Sequence, residues 1–328
     1  RHHDTLGIAY MAFGKELASD RGYIWDDPRN AWTRSTLAHN MVTVDGEDQR
    51  SDDCRSTLDF FASSPGIEVV QASANAYRQC DEYRRTTALV NAANGATYTV
   101  DIFRVRGGTR HWYSLNSNGA FTGMAGAKPY AAPDSIRWLK NIRAASPSGP
   151  VMASWEHEGV RFDARILNPV DRILVADAPG WRTNKGIELN APPIQEIIAE
   201  RSGAGTLSSR FAAVLAPSKS DGAIVKSARI VAEDPSGDAV LIAVEHSRGT
   251  DYIASSMDRG RHTLGPVTLT GGFGFISTGD GAKVVSSFLI DGTELGFGSY
   301  THAMQRGRAT IAVKSADGHT YQLCMRTI

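Results

Sequence analysis

Helix signals are scarce in this 328-residue chain, and credible ones all but vanish after residue 50. That scarcity agrees with a chain built of strands. No apolar run is long enough to span a bilayer as a helix, and the residues shown contain no signal peptide. Net charge is absent too: lysine plus arginine and aspartate plus glutamate stand at 35 each. That balance argues against nucleic acid or an anionic membrane as a bulk partner, though a local basic cleft remains compatible with it. There are three cysteines, Cys54, Cys80 and Cys324, in no metal-binding spacing. Cys54 and Cys80 can pair in an oxidising compartment, or all three can remain thiols. The chain has no Gly-x-Ser-x-Gly elbow, P-loop or dinucleotide fingerprint, so the usual serine-hydrolase and nucleotide chemistries lose their signatures. The paired carboxylates Asp26-Asp27 and Asp52-Asp53 are adjacent loop residues and give no evidence for glycoside hydrolysis. No fixed-period repeat supports a propeller.

What is present is a long series of short strand signals. Leu6 to Phe13 is apolar and is followed by Gly14-Lys15, which reads as a hairpin of buried strands. Asp45-Gly46, Asn94-Gly95, Asp280-Gly281, Asp291-Gly292 and Asp317-Gly318 read as turns, most of them in hairpins. Asp48 to Arg55 reads as a charged surface loop. From Ala96 to Val105 apolar residues fall on both faces, which predicts a strand covered on both sides. Phe121 to Pro150, rich in Gly, Ala, Pro and Ser, reads as a long loop. Gly180 to Leu207 reads as irregular, with a short helix near Ile194 to Ala199. Strands resume from Arg210 to Met325, separated by Gly and Asp turns. The expectation is an all-β chain: a large antiparallel β-sandwich over residues 1–204 and a smaller C-terminal β-sheet portion over 205–328, with the boundary near Gly203 to Gly205.

The first fifty residues carry the chemistry. His2, Asp20 and His39 lie in or beside strand-like runs, and two imidazoles with a carboxylate are the materials of a zinc site. Spacing alone does not separate this from hydrogen-bonded structural histidines. Trp25 and Trp32 lie in an aromatic-rich stretch and can stack on sugar rings or cover a sandwich edge. His111 reads as a structural sheet residue. The Tyr83-Arg84-Arg85 run can meet an anionic chain, but reads first as a solvated face.

Three blocks resemble the heparinase II/III-like polysaccharide lyases. They are His2-x-Asp4-x-Leu6, the stretch from Gly14 to Tyr23, and Arg34-Ser35-Thr36-x-Ala38-His39-Asn40 continuing to Gln49. Thr97 to Gly108 and Ser209 to Leu215 also resemble the family, and the Arg34 block is the most specific part. The resemblance implies a β-sandwich preceded by a toroid of helices, β-elimination on a uronic-acid polysaccharide, alginate-like or glycosaminoglycan-like, and Zn²⁺ at His2, Asp20 and His39. It further implies a periplasmic or secreted enzyme. Tyr23 and Arg34 flank the implied site as catalytic candidates; Trp25, Trp32, Asn40 and Arg84 are candidates for substrate binding. The family's motif reads His-x-His-x-Asp; with Asp4 on its last position, the first histidine would precede Arg1. The expectation is therefore that this chain is the C-terminal part of a longer or two-part protein. A different class of function, a non-catalytic carbohydrate-binding or structural sandwich, stays open.

Overall fold

The computed structural model describes residues 2–93, 96–132, 134–182, 189–219, 222–303, 309–316 and 320–326. The chain is an all-β sandwich; the helical residues described are one turn, Asn30–Thr33, and short 3-10 turns such as Thr36–Ala38. No helix among the described residues is long and apolar enough to cross a membrane. Two compact units are formed. The first comprises residues 1–61, 69–88 and 99–222; the second comprises 62–68, 89–98 and 223–328. Gly203 to Gly205 fall inside the first unit, in the loop between the strands Ile194–Ser202 and Ser208–Ser218.

Two antiparallel sheets build the sandwich. One has six strands in the order Tyr130–Ala131, Lys140–Ala145, Arg172–Ala178, Ile194–Ser202, Arg110–Asn116, Val42–Val44. The other has eight, in the order Ser56–Ser64, Ile67–Ala74, Cys80–Ala93, Ala96–Gly107, Ser208–Ser218, Val160–Ile166, Val151–His157, Ala120–Ala125. Phe103, Trp155, Phe162 and Phe211 from the eight-stranded sheet meet Tyr113 and Ile197 from the six-stranded one in a single buried cluster. The opposite face of the six-stranded sheet is covered as well. Trp32, Leu37 and Ala38 share a second cluster there with Trp112, Leu174 and Ile198.

This double cover explains where sequence periodicity misleads. Ile194–Ser202 is an interior strand rather than a short helix, paired with Arg172–Ala178 on one side and Arg110–Asn116 on the other. With both faces buried, its apolar run shows no alternation, and such a run reads the same for strand and helix. The expected loop from Phe121 to Pro150 holds three strands, Ala120–Ala125, Tyr130–Ala131 and Lys140–Ala145. Small residues hide them: Ala120–Ala125 is an edge strand defined by its pairing with Val151–His157, and pairing overrides weak propensity. Ala96–Gly107 is buried on both faces from Tyr98 to Val105, as its composition predicts.

The first hairpin pairs Tyr10–Ala12 with Lys15–Ala18 around Phe13 and Gly14, both at positive φ. It is less buried than expected, since Met11 and Phe13 are exposed. Asp45 and Gly46 also take positive φ, the conformation of a tight two-residue turn. Within Asp48 to Arg55, Gln49 and Cys54 are buried. Cys54 and Cys80 are free thiols.

The second unit carries a nine-stranded antiparallel sheet from Val225–Glu233 to Thr320–Arg326. Leu241, Ile276, Leu289 and Leu295 lie in its core. Asp280 and Gly281 lie in a 3-10 turn between the paired strands Val267–Thr278 and Val284–Phe297. Asp291-Gly292 is not a hairpin. It lies within Val284–Phe297 as an irregularity opposite Gly271, with Asp291 at φ 50°, and is a β-bulge. Asn94-Gly95 and Asp317-Gly318 lie outside the described residues.

Candidate metal centre

His2, Asp20 and His39 come together, with Asp4 as a fourth member. One potential ligand atom from each lies within 4.8 Å of the other three. The elements that deliver them are short and irregular: the segment before the first hairpin, the residues after Lys15–Ala18, and the end of the turn Thr36–Ala38. Hydrogen bonds fix them instead. The His3 N–H donates to the Arg34 carbonyl at 3.0 Å, and the Thr36 hydroxyl donates to the His3 carbonyl at 2.9 Å. The Gln49 side chain accepts from the Thr5 N–H and donates to the Thr5 carbonyl, each at 2.9 Å.

His39 is almost fully buried. Its Nδ1 lies 2.8 Å from the Ser35 carbonyl. A carbonyl can only accept, so Nδ1 carries the hydrogen and Nε2 presents its lone pair. That Nε2 is buried, has no hydrogen-bond partner among the described residues, and lies 3.4 Å from Asp20 Oδ2. His2 Nε2 is likewise buried and without a hydrogen-bond partner among the described residues, while its Nδ1 lies 3.7 Å from Asp4 Oδ2. Two orphaned imidazole nitrogens beside carboxylates are costly unless something fills the gap between them. A zinc with nitrogen and oxygen ligands at about 2.0–2.2 Å separates its tetrahedral donor atoms by about 3.3–3.5 Å. The His39–Asp20 spacing equals that edge, and the donor set suits Zn²⁺. Asp20 and Asp4 are partly exposed, so the cluster has an open side.

Charge is arranged accordingly. The Gly22 N–H donates to Asp20 Oδ1 at 2.6 Å and so favours the ionised carboxylate. Burial, and then the neighbouring His39, lower the pKa of His2, against the pull of Asp4 and Asp20. Both effects favour the ligand forms, ionised carboxylate and neutral imidazole.

An aromatic ladder leads out of the cluster. The rings of His2 and Tyr23 lie 4.4 Å apart, Tyr23 stacks on Trp25 at 4.5 Å, and Trp25 is 65% exposed. Arg34 is tied by its backbone carbonyl to the N–H of His3, the neighbour of His2. The other expected substrate contacts are corrected. Trp32 has no exposed surface: it is core, and its Nε1 donates to the Pro179 carbonyl. Asn40 is buried, donating to the Ile8 carbonyl and accepting from the Asn116 N–H. Arg84 is committed to Asp59, Glu82 and Gln71. His111 is structural, bonded to Ser209 and the Gly107 carbonyl. Asp4 lies outside the ligand set expected from sequence, although the His-x-Asp spacing carries the signal.

No protein-family model matches the chain, and no curated protein matches it by sequence. Solved structures do match by fold. The heparan sulfate lyase HepC from Pedobacter heparinus superposes with a TM-score of 0.52 and 14% identity, over 74% of this chain and 35% of that one. The heparinase III BT4657 gene product gives 0.56 and 15%, over 78% and 37%. A further heparinase III gives 0.52 and 14%, over 78% and 36%. The chain thus has a polysaccharide lyase-like fold and spans about a third of the length of these proteins.

Proposed function

We propose that this chain is the β-sandwich part of a polysaccharide lyase that cleaves a uronic-acid-containing polysaccharide by β-elimination, with zinc held by His2, Asp20 and His39. The observation that carries the reading is the pair of buried, unpartnered imidazole Nε2 atoms converging with Asp20 on a lyase-like fold. Such a lyase removes the C5 proton beside the uronate carboxylate, neutralises the charge that develops there, and protonates the leaving oxygen. Bound zinc supplies a fixed positive charge that braces this wall of the site. We assign Tyr23, held between His2 and Trp25, to proton transfer, and Arg34 to the substrate carboxylate. Trp25 offers a flat exposed face to a sugar ring. Most of the proton-transfer groups are assigned to a preceding helical toroid, so residues 1–328 alone are expected to turn over slowly or not at all. The reading goes with a periplasmic or secreted enzyme, since a polysaccharide of this kind lies outside the cytoplasm.

The exposed Trp25 platform also favours a second reading, a non-catalytic carbohydrate-binding module. One assay separates the two. The full-length parent protein is incubated with alginate and glycosaminoglycans, and ultraviolet absorbance of the unsaturated uronate is followed. Product supports the lyase; binding without product on any uronate polymer leaves the module reading.

A further inference from the structure

The guanidinium of Arg85 ties together the two backbone segments that carry the histidines. Its Nη1 donates at 2.7 Å to the Leu6 carbonyl, four residues after His2, and at 2.7 Å to the Asn40 carbonyl, next to His39. Its other edge is fully used. Nε and Nη2 form a bidentate pair with Asp101 at 2.8 and 2.7 Å, and Tyr113 donates its O–H to the same carboxylate at 2.6 Å. Arg85, Asp101 and Tyr113 sit on three different strands, Cys80–Ala93, Ala96–Gly107 and Arg110–Asn116, and each is at most 4% exposed. A planar, always-charged fork held by a carboxylate on one edge has no rotational freedom left on the other. The two carbonyls are therefore held at a fixed separation, and the histidines with them. Asn40 adds a parallel tie through its donation to the Ile8 carbonyl.

We infer that Arg85 is a positioning residue for the metal cluster, with Asp101 and Tyr113 orienting its guanidinium. The inference rests on the zinc reading above. It places the device that preorganises the site in the interior of the sandwich, on residues that touch no ligand atom. Lysine cannot replace it, because an ammonium on a flexible stem cannot span a bidentate carboxylate and two carbonyls at once. Outer partners of metal ligands are commonly worth 10- to 100-fold in metal affinity.

The test measures zinc affinity of the purified chain by chelator competition, for the native protein, Arg85→Lys, Tyr113→Phe and Arg172→Lys. Arg172 is paired with Glu200 and Asp134, neither of which belongs to the histidine segments, so it controls for the loss of an ion pair as such. The expected result is an affinity 10- to 100-fold weaker in Arg85→Lys, a smaller loss in Tyr113→Phe, and none in Arg172→Lys. Tyr113→Phe keeps the packing and carries the test if Arg85→Lys does not fold. Native affinity in both Arg85→Lys and Tyr113→Phe, or an equal loss in Arg172→Lys, overturns the inference. A native chain that binds no zinc overturns the metal reading itself, which is a separate and recognisable outcome.

Discussion

Nε2 of His39 and Oδ2 of Asp20 stand 3.4 Å apart, long for a charge-assisted hydrogen bond and equal in length to the edge of a zinc tetrahedron. In the proposed zinc site Asp20 acts as a charged donor. Asp20→Asn keeps the shape and the contact with Gly22 while removing the charge. Zinc affinity measured by chelator competition is expected to fall at least tenfold, with an unchanged circular dichroism spectrum. Native affinity in this variant would show that Asp20 is not a ligand.

Trp25 is an exposed ring whose partner is Tyr23. Its truncation removes little from the core, so Trp25→Ala is expected to leave folding stability within about 0.5 kcal/mol of native. Binding of a uronate oligosaccharide is expected to weaken by about 2- to 12-fold, the factor corresponding to 0.5–1.5 kcal/mol for a stacked ring. Titration followed by intrinsic fluorescence or calorimetry checks both. Unchanged affinity removes Trp25 from the binding face.

Trp32 is the opposite case. It is fully buried among Leu37, Leu174 and Ile198, and it donates to the Pro179 carbonyl. Trp32→Ala is expected to cost about 3–5 kcal/mol of stability in urea unfolding, through the cavity and the orphaned carbonyl. A loss below about 1 kcal/mol contradicts the burial.

Glu196 has no exposed surface, and neither of its carboxylate oxygens has a hydrogen-bond partner among the described residues. Burial raises its pKa from 4.5 to about 8, against the opposing influences of Ser114 and Arg21. Between those values the folded chain holds a proton that the unfolded chain has released. Stability therefore declines as pH rises from about 4.5 to about 8 and levels off above. Glu196→Gln removes this dependence. The variant is expected to gain on the native protein by an amount that grows across the window, to at most about 5 kcal/mol at 1.36 kcal/mol per pKa unit. Thermal unfolding at pH 5 and pH 8 measures it. A stability difference independent of pH assigns the proton elsewhere.

The sequence made the all-β class legible because turn residues and strand runs alternate almost throughout. It made the histidine cluster legible through resemblance, since histidines thirty-seven residues apart show no local periodicity. What it concealed has a common cause: the face on which a strand residue lies depends on register. In Tyr83-Arg84-Arg85 the run of charge suggests solvent. Strand alternation instead turns Tyr83 and Arg85 inward, where Gln49 and Asp101 meet them, and leaves Arg84 partly buried with Asp59 and Glu82. Trp25 and Trp32 look equivalent in sequence, yet one is exposed and the other sits in the core that covers the six-stranded sheet. Asp291-Gly292 has the composition of a turn, and the same tolerance for positive φ serves a bulge inside a long strand.

The metal content of the purified chain, determined by elemental mass spectrometry beside a His39→Ala control, bears most directly on the site. The expected result is close to one zinc per native chain and almost none in the variant. A native chain without metal, or a variant that keeps it, contradicts the assignment of His2, Asp20 and His39 as ligands.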